Sequence, residues 1–464
     1  NLYRFLEQIR WTHDQIRKWE PSKLLTVGSP FYAFHPAFWT AVDEEELADS
    51  GITGVVLEEN YEIDSLMPEY LHALAGGKPV MDFEHHGVIH QILPSFLHGD
   101  AAISMWWWND RKRWTPNEPI NEWASSFPQS YTIPLSDVGK AMRDALDLRR
   151  LGQDIAALGS APRPVVLLYS KTSMLQQVPD KSREMTSFPY LSGLRRIYNA
   201  SQSAGLYVGL TTEKKILAGD LRQRRVLVLP GAEFVPGPVT DAILRWAEEG
   251  GTVVVSPDSL LADEYARPSR TLQSLGLRLA RREPPRLKRG EWFVTQYNLA
   301  DLARMALRKD GEKPLSADGV ALEAAGGKQI LEGGRSMVAA RFEDGSPALL
   351  RVPRGRGVVY WLASPLDPAS WGRFLAMVAA DSGLKPELRV TREGGGLAPE
   401  VEYRVTAFEG RRLAYLYNDS DRDVTLTLAP AFPFKRIADR RAEAPLAGRR
   451  LALPARETAI LEFR

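Results

Sequence analysis

Apolar and aromatic residues at Tyr3, Phe5, Leu6, Ile9, Trp11, Ile16 and Trp19 recur with roughly helical spacing, and Pro21 stops the run. A helix is therefore expected over 3–19. Short apolar runs then alternate with helical stretches. Strands are expected at 23–28, 54–59, 79–84 and 101–108, with helices near 45–49, 65–74 and 89–97. Gly76-Gly77 closes the second of these helices. Four strands separated by helices of this length predict a parallel β/α array. Polar residues cluster just after each strand, where such folds place their sites.

Residues 110–134 are irregular and rich in Pro, Trp and Asn, a long helix is expected over 136–158, and Pro162 and Pro164 mark a linker. A second β/α run opens at 164–169. It continues with a helix over 191–204, a strand at 226–230, a helix over 239–249 and a strand at 251–256, the pattern of a doubly wound domain. The strand 357–361 and helix 371–382 are expected to return to it. From about Pro386 apolar and polar residues alternate at 401–408, 412–417, 424–428, 449–453 and 458–463, as in a small antiparallel β domain. The expected domains are 1–160, 161–385 and 386–464.

Composition narrows the class. With 44% hydrophobic and 25% charged residues, the 464-residue chain is globular rather than disordered or fibrous. Lysine and arginine number 59 against 58 acidic residues, which favours neither nucleic acid nor an anionic membrane as partner. No apolar run reaches the ~20 residues of a membrane-spanning helix. Cysteine is absent, which excludes disulfides, a thiolate nucleophile, zinc–thiolate sites and iron–sulfur clusters. All seven histidines lie in the first 98 residues and eight of the twelve tryptophans in the first 123, so the site is sought there.

The segment Lys78-Pro-Val-Met-Asp-Phe-Glu-His-His-Gly87 carries most of the chemistry. Val80, Met81 and Phe83 build a strand that delivers Glu84 to its carboxyl end, the catalytic face of a parallel barrel. Strand alternation predicts that Asp82 and Glu84 point the same way, into the barrel interior. A carboxylate there can attack an anomeric carbon or act as a general base; the plain structural alternative is a buried ion pair with an arginine. The neighbouring strand ends add Glu58, Glu59 and Asn60 on one side, and Trp106-Trp-Trp-Asn-Asp-Arg111 on the other. Carboxylates and amides bind sugar hydroxyls, and indole faces stack on the ring, so this set points to carbohydrate. Trp106 and Trp108 are expected to face together, with Trp107 opposite. His85, His86, His90 and His98 lack the spacing of a zinc helix, so no metal is assigned. A hydrogen bond to substrate is expected from His85 or His86, and structural roles from the rest.

With those residues in view, the chain resembles the retaining glycoside hydrolases built on (β/α)8 barrels and is most similar to the family 42 β-galactosidases. Lys78 to Glu84 and Gly99 to Trp108 resemble barrel strands seven and eight, and Trp11 to Gly28 the helix and fifth strand. The resemblance extends to 164–256 and to Gly355–Pro365, similar to a flavodoxin-like, class I amidotransferase-like trimerisation domain, and to a C-terminal β-sandwich over 386–464. It implies the C-terminal half of a barrel, with Glu84 as nucleophile and Glu59, Asn60, His85, Trp106, Trp108 and Asn109 in the substrate shell. It implies no cofactor, a trimeric assembly, and an acid/base Glu on a strand preceding Asn1. Asn117-Glu118 and Asn121-Glu122 follow strand eight and do not inherit that role. The barrel is then completed by upstream sequence or by a second polypeptide.

The resulting expectation is a retaining hydrolase of terminal β-galactosides or related β-glycosides. The alternative is a non-catalytic carbohydrate-binding or assembly subunit derived from such an enzyme. A third reading pairs Glu58 or Glu59 with Glu84 in another open α/β enzyme.

Overall fold

The computed structural model describes residues 2–23, 25–30, 43–52, 54–58, 65–85, 92–105, 146–176, 189–283, 314–317, 320–324, 327–333 and 338–464. Four parallel strands come first: β1 (Thr26–Pro30), β2 (Gly54–Glu58), β3 (Val80–His85) and β4 (Asp100–Met105). They lie in the sheet order 1-2-3-4. They alternate with α1 (Leu2–Trp19), α2 (Glu44–Ala48), α3 (Leu66–Ala75) and α4 (Ile92–Leu97). Sequential order without reversal is what repeated right-handed β/α crossovers produce. Local chemistry sets the helix ends. The Asp43 carboxylate accepts the Glu45 and Glu46 amides at 3.2 and 3.3 Å to start α2. Gly76, left-handed at φ 59°, ends α3.

The long helix expected over 136–158 is broken in its described part. Leu148–Leu151 form a 3-10 turn, and a new helix, α5 (Gly152–Gly159), starts at a glycine. The second sheet has seven strands in the order β13-β14-β15-β8-β7-β5-β6. Five are parallel: β5 (Val165–Tyr169), β6 (Val208–Thr212), β7 (Val226–Leu229), β8 (Thr252–Val255) and β15 (Gly357–Leu362). β13 (Val338–Arg341) and β14 (Pro347–Arg354) extend it antiparallel. Helices α6 (Lys171–Gln176), α7 (Pro189–Gln202), α8 (Glu213–Leu217), α9 (Gly237–Glu248) and α10 (Pro368–Asp381) accompany it. β5, β7 and β8 are buried at every position, as central strands covered on both faces must be. Two small pairs, β9 (Leu277–Glu283) with β12 (Lys328–Gly333) and β10 (Pro314–Ala317) with β11 (Val320–Glu323), complete this unit.

The chain ends in two antiparallel sheets. One holds β16 (Leu388–Arg392), β19 (Val424–Pro430) and β22 (Arg450–Leu453). The other holds β17 (Val401–Phe408), β18 (Arg411–Asn418), β20 (Ile437–Asp439), β21 (Ala444–Pro445) and β23 (Thr458–Phe463). Their shared core is built from alternate residues, among them Val401, Tyr403, Ala414, Leu416 and Leu461.

The three units are fused by burial. Leu66, Met67, Tyr70, Leu71 and Leu74 of α3 belong to one continuous core with β5–β8, so a helix of the first sheet covers the second. The intervening residues of β18 and β23, Leu413, Tyr415 and Ile460, form another core with Leu93 and Leu97 of α4, with Leu151 of the 3-10 turn and with Ile155 and Leu158 of α5. The central strands β18 and β23 of the five-stranded sheet are thus buried on both faces. Among the described residues no helix is long and apolar enough to cross a membrane.

Candidate active site at the ends of the parallel strands

The register of the first sheet sets its carboxyl edge. Leu57 pairs with Asp82, Pro30 with Glu58, and His85 with Met105. The backbone therefore brings Glu58, the Glu84-His85 step and Met105 to one edge, with β3 between β2 and β4. Glu84 and His85 are the last two residues of β3. Glu59, Asn60, Trp106, Trp108 and Asn109 lie outside the described residues, although β2 and β4 end immediately before them.

One expectation about this edge needs correction. Val80 and Asp82 are alternate residues on one face, and Val80 belongs to the core beneath α3. Asp82 is fully buried on that helix-facing side, not in a barrel interior. Between Asp82 and His85, β3 takes three steps while β4 takes two, from Ile103 to Met105. This bulge-type register shift lies between Asp82 and His85.

Behind the strands lies a buried ionic cluster that the sequence reading did not find. Glu69 on α3 takes hydrogen bonds from Arg163 Nε at 3.0 Å and Arg404 Nη1 at 2.7 Å, and its Oε1 lies 2.8 Å from His98 Nδ1. His98 Nε2 lies 2.7 Å from Glu402 Oε1, which also accepts the Tyr415 hydroxyl. Burial alone pushes the Glu69 carboxyl up. The Arg163 and Arg404 guanidiniums and the His98 hydrogen bond overcome this and hold it well below the usual carboxylate range. Asp100, at the start of β4, goes the other way. Burial raises its carboxyl well above the ordinary value, and the charges of Asp82 and Glu69 add to the shift. Its Oδ2 has no hydrogen-bond partner. His72 is pushed down to about 4, by burial first and then by Arg163. His98, read from sequence as structural, is completely enclosed. The available sequence signal was Glu402-Tyr-Arg404, two opposite charges on one face of an otherwise apolar strand.

The second sheet reverses strand order at β5, where open α/β sheets commonly hold ligands. Here that place is filled. The Ser173 hydroxyl donates to the Phe234 carbonyl at 2.7 Å, and the Ser170 and Thr172 hydroxyls donate to Glu213 at 2.6 and 2.8 Å. Among the described residues no group of three or more His, Asp or Glu side chains is arranged to hold a metal ion.

The chain thus joins a parallel β/α sheet to a seven-stranded α/β unit and a two-sheet β unit. Solved structures bear out the likeness to the family 42 enzymes. The β-galactosidase from Bacillus circulans sp. alkalophilus matches with a TM-score of 0.69 at 16% identity, over 99% of this chain and 66% of that one. A catalytic mutant of a GH42 β-galactosidase from G. stearothermophilus matches with a TM-score of 0.68 at 14% identity, over 99% and 68%. The GH42 exo-carrageenase from Bacteroides ovatus matches with a TM-score of 0.61 at 13% identity, over 100% and 55%. The chain thus shares their fold and spans about two thirds or less of their length. No protein-family model matches the sequence, and no curated protein does.

Proposed function

We propose that this chain is the greater part of a retaining glycoside hydrolase that cleaves terminal β-galactosides or related β-glycosides, with Glu84 as nucleophile. The supporting observation is the position of Glu84 at the carboxyl end of β3, flanked by β2 and β4, in a chain that shares the fold of glycosidases along nearly all its length. Glu84 attacks the anomeric carbon while an acid/base carboxyl, assigned to a barrel strand beyond these four, protonates the leaving oxygen. Water then releases the sugar with net retention. Glu59, Asn60, His85, Trp106, Trp108 and Asn109 form the proposed substrate shell, with carbohydrate as the ligand and no cofactor.

Glu84→Gln in the complete protein should lower turnover of nitrophenyl β-galactoside by about three orders of magnitude or more without changing the folded state. Undiminished activity in that variant removes the assignment. A complete protein that binds galactosides yet turns over no nitrophenyl glycoside would favour the non-catalytic carbohydrate-binding or assembly reading. Residues 161–385 are proposed as an amidotransferase-like trimerisation domain and 386–464 as a closing β domain. Light scattering of the complete protein should then return three protomer masses; a monomer rejects the trimer.

A further inference from the structure

We propose that the C-terminal β unit is part of the active-site scaffold, with Arg404, Glu402 and Tyr415 acting as positioning residues for β3, the strand that carries Glu84. Its kinetic test rests on the glycosidase reading above. The structural argument does not.

The chain enters β3 from α3 and leaves it for α4. Glu69 lies on α3 and His98 directly follows α4, and the two side chains meet at 2.8 Å. The helices on either side of β3 are therefore tied to each other through this pair. The pair is completed from far along the chain, since Arg404 Nη1 reaches Glu69 Oε1 at 2.7 Å and Glu402 Oε1 reaches His98 Nε2 at 2.7 Å. Glu402 and Arg404 alternate on β17 with Val401 and Tyr403, which face the β-unit core. They consequently emerge on the opposite face, toward α3 and α4. Arg404 Nη2 also donates to Gln202 Oε1 of α7 at 3.1 Å, so a single guanidinium touches all three units.

Glu69, His98 and Arg404 are all shielded from water. Their interactions are little screened, and losing one member leaves the others short of a partner where water cannot replace it. The closest relief is a shift of α3 or α4 against the strand between them. Misplacing a reacting group by about 1 Å can cost ~100-fold in rate, so a small shift at β3 registers in turnover.

The test uses Arg404→Lys and Tyr415→Phe in the complete protein. The first removes the forked geometry, and the second removes only the hydroxyl that donates to Glu402. Kinetics on nitrophenyl β-galactoside are read well below the unfolding temperature, beside amide hydrogen exchange. In both variants kcat should fall by about fivefold or more with KM within about twofold. Exchange should quicken in residues 66–85 and 92–105 and stay unchanged in β5, β7 and β8. Folded variants with wild-type kcat and unchanged exchange over 66–105 overturn the proposal. If Arg404→Lys does not fold, Tyr415→Phe decides alone. If Tyr415→Phe does not fold either, the cluster serves folding rather than placement, and the proposal is again overturned. Should the wild-type protein turn over no glycoside, the glycosidase reading fails separately, and the exchange pattern decides this inference.

Discussion

Glu69 and Asp100 are both buried carboxyls, yet their environments drive them in opposite directions, and stability should follow pH differently through each. Glu69 is held below its ordinary value by two guanidiniums and His98. A depressed carboxyl contributes stability that is present above its unfolded value near 4.5 and is lost as pH falls through the folded value. Glu69→Gln removes the buried carboxylate shared by Arg163 and Arg404 and should cost about 3–5 kcal/mol at neutral pH in urea unfolding. The acid limb of its stability profile should also be flatter. Asp100 is raised by burial and by Asp82 and Glu69, so the native state holds the proton more tightly than the unfolded chain. Its stabilising contribution is complete below about 3.8 and declines as pH rises. Asp100→Asn removes that decline. It should be neutral near pH 3.5 and stabilising at pH 7, the gain growing with pH. A variant less stable than wild type at both pH values would contradict the upward shift of the Asp100 carboxyl.

At the scale of elements, α4 and α5 meet where two glycines face each other. A Cβ on Gly159 would lie 2.7 Å from the Phe96 carbonyl oxygen and 3.3 Å from Gly99 backbone atoms. Both obstacles are main chain, so neither helix can yield by a rotamer change. Gly159→Ala should therefore destabilise by about 1–3 kcal/mol in thermal unfolding, although alanine is the better helix former. Unchanged stability would mean that the two helices separate freely. Elements with a clean pattern were legible from sequence. The apolar runs of β5, β7 and β8 mark central strands, and the alternation at 401–408 and 458–463 coincides with β17 and β23 to the residue. β6 was missed because Val-Gly-Leu-Thr-Thr dilutes its apolar signal with glycine and threonine. The break in β3 after Asp82 was also illegible. Alternation assumes a regular ladder, and the extra residue is defined only against β4.

For the whole molecule, the illegible part is the way the units join. Arg404 and Glu69 are 335 residues apart, and a buried charge cannot be told from a solvated one by composition or spacing. Reading three consecutive domains from the sequence suggests modules that can be removed one at a time, and the packing argues otherwise. Leu413, Tyr415 and Ile460 cover Leu93 and Leu97 of α4 and Ile155 and Leu158 of α5, while Arg404 and Glu402 complete the charges of Glu69 and His98. Ending the chain at residue 385 would strip this apolar cover and leave Glu69 and His98 each short of a partner inside a surface newly open to water. Such a truncation should be insoluble, or should unfold at least about 10 °C below the parent. That shift corresponds to more than 2 kcal/mol for a protein of this size. A module attached only by a linker would leave the remaining chain with its original melting temperature, so a truncated protein that is soluble and melts unchanged would show that the β unit is accessory. Retained solubility with a lowered melting temperature, together with faster exchange over 66–105, would place the loss at α3 and α4, where the two buried contacts converge.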